Sequence, residues 1–376
     1  MPLNAVLEVE DSILVTLGAF LRGLLERGVV EYLLVPQATL AGDNVVQTLV
    51  HEASRLQAVN PVAPVLPVNS AKLVSKLTVK GAPRQVGVVL RTCELRALVE
   101  LVKLQQASLD NVIVIVVDCL GTYEVTDYAA LIANGIDPTA ELLAQVRDGP
   151  PRPHEGYSFR AACQMCEYPT PDAPGVHAPD IHLGVLGTDG GVLVTVRDDL
   201  AEPLELTPAS IPAGRKAVVE ALVRERAAER DRRFAEFRAR VTDVSGLLAQ
   251  FSTCIRCHNC MIACPICYCR ECIVRTTTFD HEPRQYFDWA ERKSVIRMPV
   301  DTLIFHLTRL NHMSTSCVGC GMCESACPND IPVATIFRAV GEKVQAIFDY
   351  VPGRSLEDEL PLATFREDEL TELGEK

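Results

Sequence analysis

The sequence lacks any run of eighteen or more apolar residues, so no segment has the length and hydropathy of a membrane-spanning helix. It also lacks a basic patch interleaved with aromatic residues. Its 36 Lys and Arg residues against 49 Asp and Glu residues give a net charge of −13, which would repel a nucleic-acid backbone. The first thirty residues have an acidic start and Arg22 within their apolar part, which fits no signal peptide. We therefore expect a cytoplasmic protein without a membrane span or a nucleic-acid partner.

Cysteine, in contrast, is abundant. Fifteen cysteines in a chain without a recognisable export signal argue against a disulfide framework and for reduced thiolates that bind metal in an oxygen-poor cytoplasm. Two stretches, beginning at Cys254 and Cys317, share the spacing Cys-x-x-Cys-x-x-Cys-x-x-x-Cys-Pro. This repeated spacing is the strongest chemical signal in the sequence.

The spacing is typical of iron–sulfur ligands. One short turn wraps three thiolates around a cube of iron and sulfide, and the fourth cysteine, which precedes proline, binds a neighbouring cube. Structural zinc instead uses paired Cys-x-x-Cys knuckles separated by longer loops, so zinc is the less favoured alternative. Two [4Fe-4S] clusters that exchange their fourth ligands are predicted, the first at Cys254, Cys257, Cys260 and Cys327, the second at Cys317, Cys320, Cys323 and Cys264.

Hydrophobic patterns predict an α/β N-terminal domain with a mostly parallel sheet, followed by a mainly helical domain that contains the two clusters. Leucines at helical spacing before Gly28 lead into a strand, and apolar runs at 85–90 and 111–118 predict buried strands with a helix between them. This β-α-β unit favours parallel pairing. The predicted domains are 1–211 (α/β), 212–250 (connecting helix), 251–352 (helical, with two clusters) and 353–376 (acidic tail).

The connecting helix is predicted to run from Pro212 to about Gly246. Three pairs of opposite charge lie four residues apart on it, and a narrow apolar stripe would pack against a neighbour. The pairs are Glu220 with Arg224, Glu229 with Arg233 and Glu236 with Arg240; the stripe is Phe234, Phe237 and Val241.

Four cysteines of the first half form a further candidate site. Cys93 begins the helix after one predicted strand and Cys119 follows the next, so both leave the carboxyl edge of the sheet, where α/β sheets bind ligands. The helix N-terminus would also favour a thiolate at Cys93. Cys163 and Cys166 form a half-site that lacks two ligands, which Cys93 and Cys119 would supply. The alternative is that these cysteines are simply buried residues.

Three segments of the first half, 85–105, 111–128 and 163–198, resemble in order and spacing the beta-subunit family of deazaflavin-dependent hydrogenases and formate dehydrogenases. The resemblance covers about residues 10 to 200. It implies iron–sulfur clusters and FAD, with electrons passing between a catalytic partner and a deazaflavin coenzyme or another acceptor. It also implies a third [4Fe-4S] cluster at Cys93, Cys119, Cys163 and Cys166. Residues 250–350 resemble the helical dicluster ferredoxin modules of heterodisulfide reductase and succinate dehydrogenase small subunits.

The flavin site is less well defined. Leu90 to Cys93 stand where the family usually has Gly-Thr-Pro-Cys, and its Gly-Ser-Lys-Tyr stretch has no counterpart near Leu77 to Lys80. A glycine-rich segment would let the backbone approach a flavin diphosphate, although a plain hairpin turn explains it equally well. The candidate FAD residues are Gly184, Gly187, Gly190 and Gly191. The remaining cysteines, Cys267, Cys269 and Cys272, form a partial extra metal site or pack as apolar side chains.

These observations predict an iron–sulfur, flavin-containing electron-transfer subunit of a cytoplasmic redox complex. Its expected partners are other redox subunits, with a formate dehydrogenase, hydrogenase or heterodisulfide-reductase-like core as the catalytic partner, and a flavin or soluble electron carrier as the acceptor. The alternative is a flavin-free electron conduit and docking scaffold with no substrate site. No nucleophile beside a base is apparent, so no catalytic residue is predicted.

Overall fold

The computed structural model describes residues 2–269, 271–361 and 363, so much of the predicted acidic tail lies outside the described residues. Within these ranges, seven strands form one sheet in the spatial order β1-β7-β6-β5-β4-β2-β3. In chain order they are β1 (Leu3–Leu7), β2 (Tyr32–Ala38), β3 (Val45–Val50), β4 (Val86–Arg91), β5 (Val112–Val117), β6 (Ile181–Gly184) and β7 (Val192–Val196).

The four central strands, β2, β4, β5 and β6, run parallel to one another. On one side β3 pairs antiparallel with β2; on the other β7 pairs antiparallel with β6, and β1 pairs antiparallel with β7. Every residue of β4 and β5 is buried, because helices and loops cover both faces of the sheet. The predicted α/β fold with a mostly parallel sheet is confirmed, whereas β1 and β3 were not predicted.

The side chains of β5 alternate between two apolar cores, one on each face of the sheet. Ile113 and Ile115 point into a core that also contains Leu17 and Leu21 of the first helix. Val114 and Val116 point to the opposite face, where they pack with Leu98 of the helix that follows β4. Successive side chains on a strand point to opposite faces, so one apolar run supplies both cores.

The α-helices of the described residues lie around this sheet and in the second half of the chain. They are α1 (Ile13–Glu26), α2 (Ala71–Thr78), α3 (Thr92–Lys103), α4 (Val125–Ala133), α5 (Pro138–Leu143), α6 (Ala161–Gln164), α7 (Asp198–Ala201), α8 (Arg215–Arg240), α9 (Val244–Gln250), α10 (Asn259–Ala263), α11 (Pro283–Lys293), α12 (Thr302–Met313), α13 (Met322–Ser325) and α14 (Val333–Ile347). Single 3-10 turns occur at Ala53–Arg55, Ile273–Arg275 and Thr277–Phe279. No helix of the described ranges is both long and apolar enough to cross a membrane.

The connecting helix α8 is shorter than predicted. It ends at Arg240, and Asp243 then starts α9 by accepting a hydrogen bond from the backbone N–H of Gly246 at 2.7 Å. Its predicted pairs at Glu220 and Glu229 are present, but Arg240 donates to the backbone oxygen of Glu236 instead of its carboxylate. The Glu236 carboxylate pairs with a different arginine, Arg232, on the same helix.

The second half of the chain has its own apolar core. Phe234 and Phe237 of α8 pack with Phe251, which follows α9, and with Ile336 and Phe337 of α14. Six cysteines border this core, namely Cys254, Cys264, Cys267, Cys317, Cys323 and Cys327. The predicted apolar stripe of α8 therefore packs in a core that several of the cysteines border.

Candidate metal centres

The structure brings the cysteines together in three sets of four, and each set lines one cavity. We call them site I (Cys254, Cys257, Cys260, Cys327), site II (Cys264, Cys317, Cys320, Cys323) and site III (Cys93, Cys119, Cys163, Cys166). Cys327 lines the same cavity as the first cysteine run and Cys264 the same cavity as the second, and the exchange of fourth ligands stays a prediction.

Site I combines the loop between α9 and α10, which carries Cys254 and Cys257, with Cys260 in α10 and Cys327 after α13. Arg256 and His258 have positive φ angles of 55° and 64°, and these left-handed residues turn the backbone between the cysteines. The backbone N–H of Arg256 donates to Cys254 Sγ at 3.3 Å. Cys257 is exposed, so site I lies at the protein surface.

His306 of α12 covers site I from the inside. Its Nε2 lies 3.4 Å from Cys254 Sγ, and its ring stacks on Phe251 with centroids 3.7 Å apart. Burial lowers the pKa of His306 to about 3, which keeps the imidazole neutral. Its Nδ1 is buried and has no hydrogen-bond partner among the described residues.

Site II is built from the loop between α12 and α13 together with Cys264. Gly319 and Gly321 have φ angles of 72° and 74°, which glycine adopts without strain. A Cβ at Gly321 would lie 2.3 Å from Ala162 Cβ, so this loop directly contacts the helix that carries Cys163. Sites II and III are neighbours for this reason, and Cys320 lines both cavities.

Site III lies at the carboxyl edge of the sheet. Cys93 is in the first turn of α3, directly after β4, and Cys119 follows β5 by two residues. The backbone N–H of Cys119 donates to the oxygen of Pro169 at 2.8 Å, which ties the β5 end to the segment after Cys166. Thr122 Oγ1 lies 3.0 Å from Cys163 Sγ.

Burial disfavours the charged form of several of these thiols. Burial raises the pKa of Cys320 to about 11 and that of Cys93 well above its ordinary value. A thiolate at Cys93 stays a prediction for the metal-bound site, because desolvation raises the pKa of the free thiol. A bound metal would deprotonate these thiols.

Buried arginines surround the cysteines, and sequence patterns did not single them out. Arg91, Arg160 and Arg226 line site III, and all three are at most 6% exposed. Arg91 and Arg226 donate to the backbone oxygens of Ala63 and Leu120. The acidic side chains nearby are the buried Glu94 beside Cys93 and the half-exposed Glu124, 3.8 Å from Arg160. Cations in this setting match the negative charge of four thiolates around an iron–sulfur cube.

The donor chemistry of all three sites fits [4Fe-4S] clusters. No group of three or more His, Cys, Asp or Glu side chains in the described ranges is arranged to hold a single metal ion. Four thiols around a cavity are instead the arrangement that a cube of iron and sulfide requires. That these twelve cysteines are the ligands stays a prediction.

The candidate FAD glycines lie mostly against the chain itself. A Cβ at Gly187 would lie 2.6 Å from Arg215 Cα, one at Gly184 2.9 Å from Arg215 Nη1, and one at Gly191 2.7 Å from the side chain of Val6. Only Gly190 of the four has nothing within 4 Å of such a Cβ. The chain's own atoms thus occupy the space that three of these glycines leave, which favours the hairpin-turn alternative over a flavin cradle.

The close approach at Gly187 places Arg215 in a buried charge network at the sheet edge. The Arg215 guanidinium donates to Asp118 at 2.7 Å and to Asp172 at 3.0 Å, and His182 Nε2 lies 2.9 Å from Asp118. Although burial opposes it, Arg215 and His182 hold the pKa of Asp118 well below its usual range. Sequence reasoning missed this network. The position of Asp118 directly after the buried strand β5 could have indicated it, because a buried carboxylate needs a partner of opposite charge.

The three remaining cysteines occupy the segment between α10 and the 3-10 turn Ile273–Arg275. Cys269 is exposed, whereas Cys267 and Cys272 are half-buried and pack beside Phe305. Arg270 lies outside the described residues. Both interpretations of these cysteines, a partial metal site or packing, stay open.

Comparison with known proteins agrees with these observations. Residues 312–333 match the model of the 4Fe-4S binding domain family, and they contain Cys317, Cys320, Cys323 and Cys327. The chain therefore carries an iron–sulfur binding domain in its helical region.

Two relatives match most of the chain. The F420-dependent formate dehydrogenase subunit beta of Methanocaldococcus jannaschii is 27% identical over 317 residues, covering 76% of this chain and 78% of the relative. The F420-dependent formate dehydrogenase 1 subunit beta of Methanococcus maripaludis is 27% identical over 312 residues, covering 74% and 75%. These matches confirm the resemblance to the beta-subunit family.

Among solved structures, the F420-reducing [NiFe] hydrogenase complex from Methanosarcina barkeri, determined with xenon, contains a chain that aligns with a TM-score of 0.46. The identity is 12%, and the alignment covers 65% of this chain and 94% of the other. A similarity of this degree carries no argument about function.

Proposed function

We propose that the chain is an iron–sulfur electron-transfer subunit in which sites I, II and III form one relay. The observation that carries the proposal is that the three cavities lined by the cysteines of sites I, II and III adjoin in series. Cys320 lines both the site II and site III cavities. Arg309 lines site II and donates to Cys260 of site I at 3.0 Å.

When bound, [4Fe-4S] clusters accept and donate single electrons at potentials set by the charges and hydrogen bonds around them. The residues of this chain supply those charges and exclude water. Cys93, Cys264 and Cys323 are only partly exposed, whereas Cys257 is exposed, so site I is more open to a docking partner than sites II and III. We therefore propose that electrons exchange with a partner near site I and with an acceptor near the sheet edge.

The relatives support a place for this chain in a formate dehydrogenase type of complex, because both are named as subunits of such enzymes. We propose that other redox subunits are its partners and that a catalytic subunit of such an enzyme lies at one end of the relay. The proposed relay needs no flavin at the four glycines. FAD at another position stays a prediction from the family resemblance.

Iron content and spectroscopy of the full chain, prepared without oxygen, test the relay. We expect about twelve irons per chain, four per cube, and electron paramagnetic resonance signals of interacting reduced clusters. The Cys119→Ala variant should retain about eight irons. Zinc in place of iron, or about four irons in the wild type, would contradict the proposal.

Two further measurements separate the alternatives. Mild acid extraction should release a flavin with a visible absorption band if FAD is bound, and its absence would favour the flavin-free conduit. Purification from the native organism should yield the chain bound to another redox subunit. If the chain is instead a free monomer whose clusters are reduced equally fast with and without neighbouring gene products, the protein is a standalone electron carrier and not a subunit.

A further inference from the structure

Arg309 of α12 lies between sites I and II. Its Nη1 donates to Cys260 Sγ at 3.0 Å and its Nη2 to the backbone oxygen of Cys260 at 3.2 Å. The same side chain lines the site II cavity with Cys264 and Cys323. It is 4% exposed, so both sites share one buried guanidinium.

The surroundings of Arg309 are aromatic rings and thiols. Its guanidinium carbon lies 4.8 Å from the ring centroid of Phe337 and 5.7 Å from that of Phe305. Among the described residues, the hydrogen-bond acceptors of this guanidinium are the sulfur and the backbone oxygen of Cys260. A buried cation normally has a carboxylate partner, and here cysteines take that place.

One donor of this guanidinium is unused. Nε of Arg309 is buried and has no hydrogen-bond partner among the described residues. Buried N–H donors are almost always paired, so an unpaired one at the wall of a four-thiol cavity indicates an acceptor in that cavity. Thiolate and sulfide sulfurs are such acceptors, and hydrogen bonds to the sulfurs of a cluster raise its potential.

We infer that Arg309 is the shared counter-charge of sites I and II, which raises the reduction potential of both clusters and links their electron occupancy. The inference rests on the proposed function, since it needs clusters in both sites. Each transfer moves one electron, and no bond forms or breaks. The electron makes its cluster more negative by one charge, and a buried cation beside both clusters stabilises the reduced form of either one.

Redox titration of the full chain, followed by electron paramagnetic resonance, tests this role. The Arg309→Gln variant should lower the ratio of reduced to oxidised cluster at sites I and II by about tenfold at a fixed solution potential, equal to about 59 mV for one electron. Site III should change much less. Signals are assigned by comparison with Cys119→Ala, which removes site III.

Two variants act as controls. Arg309→Lys keeps the positive charge and should preserve most of the potential at both sites. Arg292→Gln removes the same charge from an exposed position on α11, where solvent screens it, and should shift no potential. Together they separate a buried cation from a change in net charge.

The outcomes are distinct. Unchanged potentials in Arg309→Gln overturn the inference while leaving the relay intact. If Arg309→Gln loses iron from sites I and II but Arg309→Lys keeps it with near-normal potentials, the charge role is supported. If both variants lose iron, or if the reduction potentials of sites I and II shift equally in both, Arg309 acts through packing and the inference is wrong. A wild type without iron at sites I and II overturns the proposed function as well.

Discussion

Sites I and II in the helical region and site III at the sheet edge reach the same arrangement by different routes. Each helical site takes three cysteines from seven consecutive residues, on loops turned by residues with positive φ such as His258 and Gly321. Site III combines the ends of two parallel strands with a short helix, and its cysteines span positions 93 to 166. The comparison shows that one site depends on the fold of the whole sheet while two depend mainly on local turns.

The two regions also meet closely. Arg160, which lines site III, donates to the backbone oxygen of Cys320 at 3.1 Å and to Ser325 Oγ at 2.8 Å. Arg96 of α3 donates to the backbone oxygen of Val318 at 3.1 Å. The α/β region therefore forms one wall of site II, so the local cysteine loop is supported by residues distant in sequence.

The largest expected effect comes from removing single ligands. Cys119→Ala should lose the irons of site III alone, about four of about twelve, because sites I and II do not depend on the strand end. Cys320→Ala should lose site II and also disturb site III, since Cys320 lines both cavities. Iron analysis and resonance spectra check this. Loss of all irons in Cys119→Ala would show that the two regions do not form their sites independently.

The buried network at the sheet edge should give the next largest effect. Arg215→Met leaves Asp118 buried without its cation, and breaking a buried pair costs about 3–5 kcal/mol of unfolding free energy. The pair of Arg27 with Glu205 is partly exposed, so Arg27→Ala should cost at most about 1 kcal/mol. Denaturant unfolding compares the two variants. Equal losses would mean that the network does not hold α8 on the sheet.

Substitution of Gly321, whose loop contacts Ala162, tests the packing between sites II and III. Gly321→Ala forces a Cβ to within 2.3 Å of Ala162 and strains a positive φ, which together should cost roughly 2–5 kcal/mol. Gly190→Ala has a φ of +89° but open space around it, so only the backbone strain of about 1–3 kcal/mol applies. Thermal unfolding and iron content distinguish these variants. A Gly321→Ala protein as stable as Gly190→Ala would show that the loops are not tightly packed.

The pH dependence of stability should report on the sheet edge. Although burial lowers it, hydrogen bonds to Asp118 and Asp172 raise the pKa of His182 above its ordinary 6.5. The charged form therefore stabilises the fold fully below about 6.5, the unfolded value, and this stabilisation is lost as the pH rises through the higher folded pKa. Unfolding measured from pH 6 to 9 should show the decline in the wild type and a flatter profile in His182→Gln. Identical pH profiles for the two proteins would contradict a stabilising role of charged His182.

A matched pair on α8 should give the smallest difference. Arg226 is buried and lines site III, whereas Arg224, two residues away, is exposed and lies 3.9 Å from Glu220. Arg224→Leu should cost about 0.5 kcal/mol and leave the potential of site III unchanged. Arg226→Leu should make that potential more negative, because a buried cation beside the thiols is lost. If site III had the same reduction potential in both variants, the charge of Arg226 would not influence that potential.

The sequence alone was enough to predict which cysteines group together. The spacing of the two runs predicted sites I and II because wrapping three thiolates around a cube is a local property of a turn. The apolar runs of β4 and β5 fixed the parallel strands, and with them the edge where Cys93 and Cys119 meet. Family resemblance then joined these two to Cys163 and Cys166, and the fold places all four at one cavity.

Only the tertiary structure determined which charged side chains lie buried beside those cysteines and which atoms pack against the candidate glycines. Arg160, Arg226 and Arg309 lie in segments whose sequence reads as ordinary charged helix or loop, and their burial follows from contacts between distant elements. Likewise, Gly187 turned out to accommodate Arg215 because α8 returns to the sheet there. Spacing records which groups are near along the chain, but desolvation and close approach depend on every element packed around a group, and that information exists only in the folded protein.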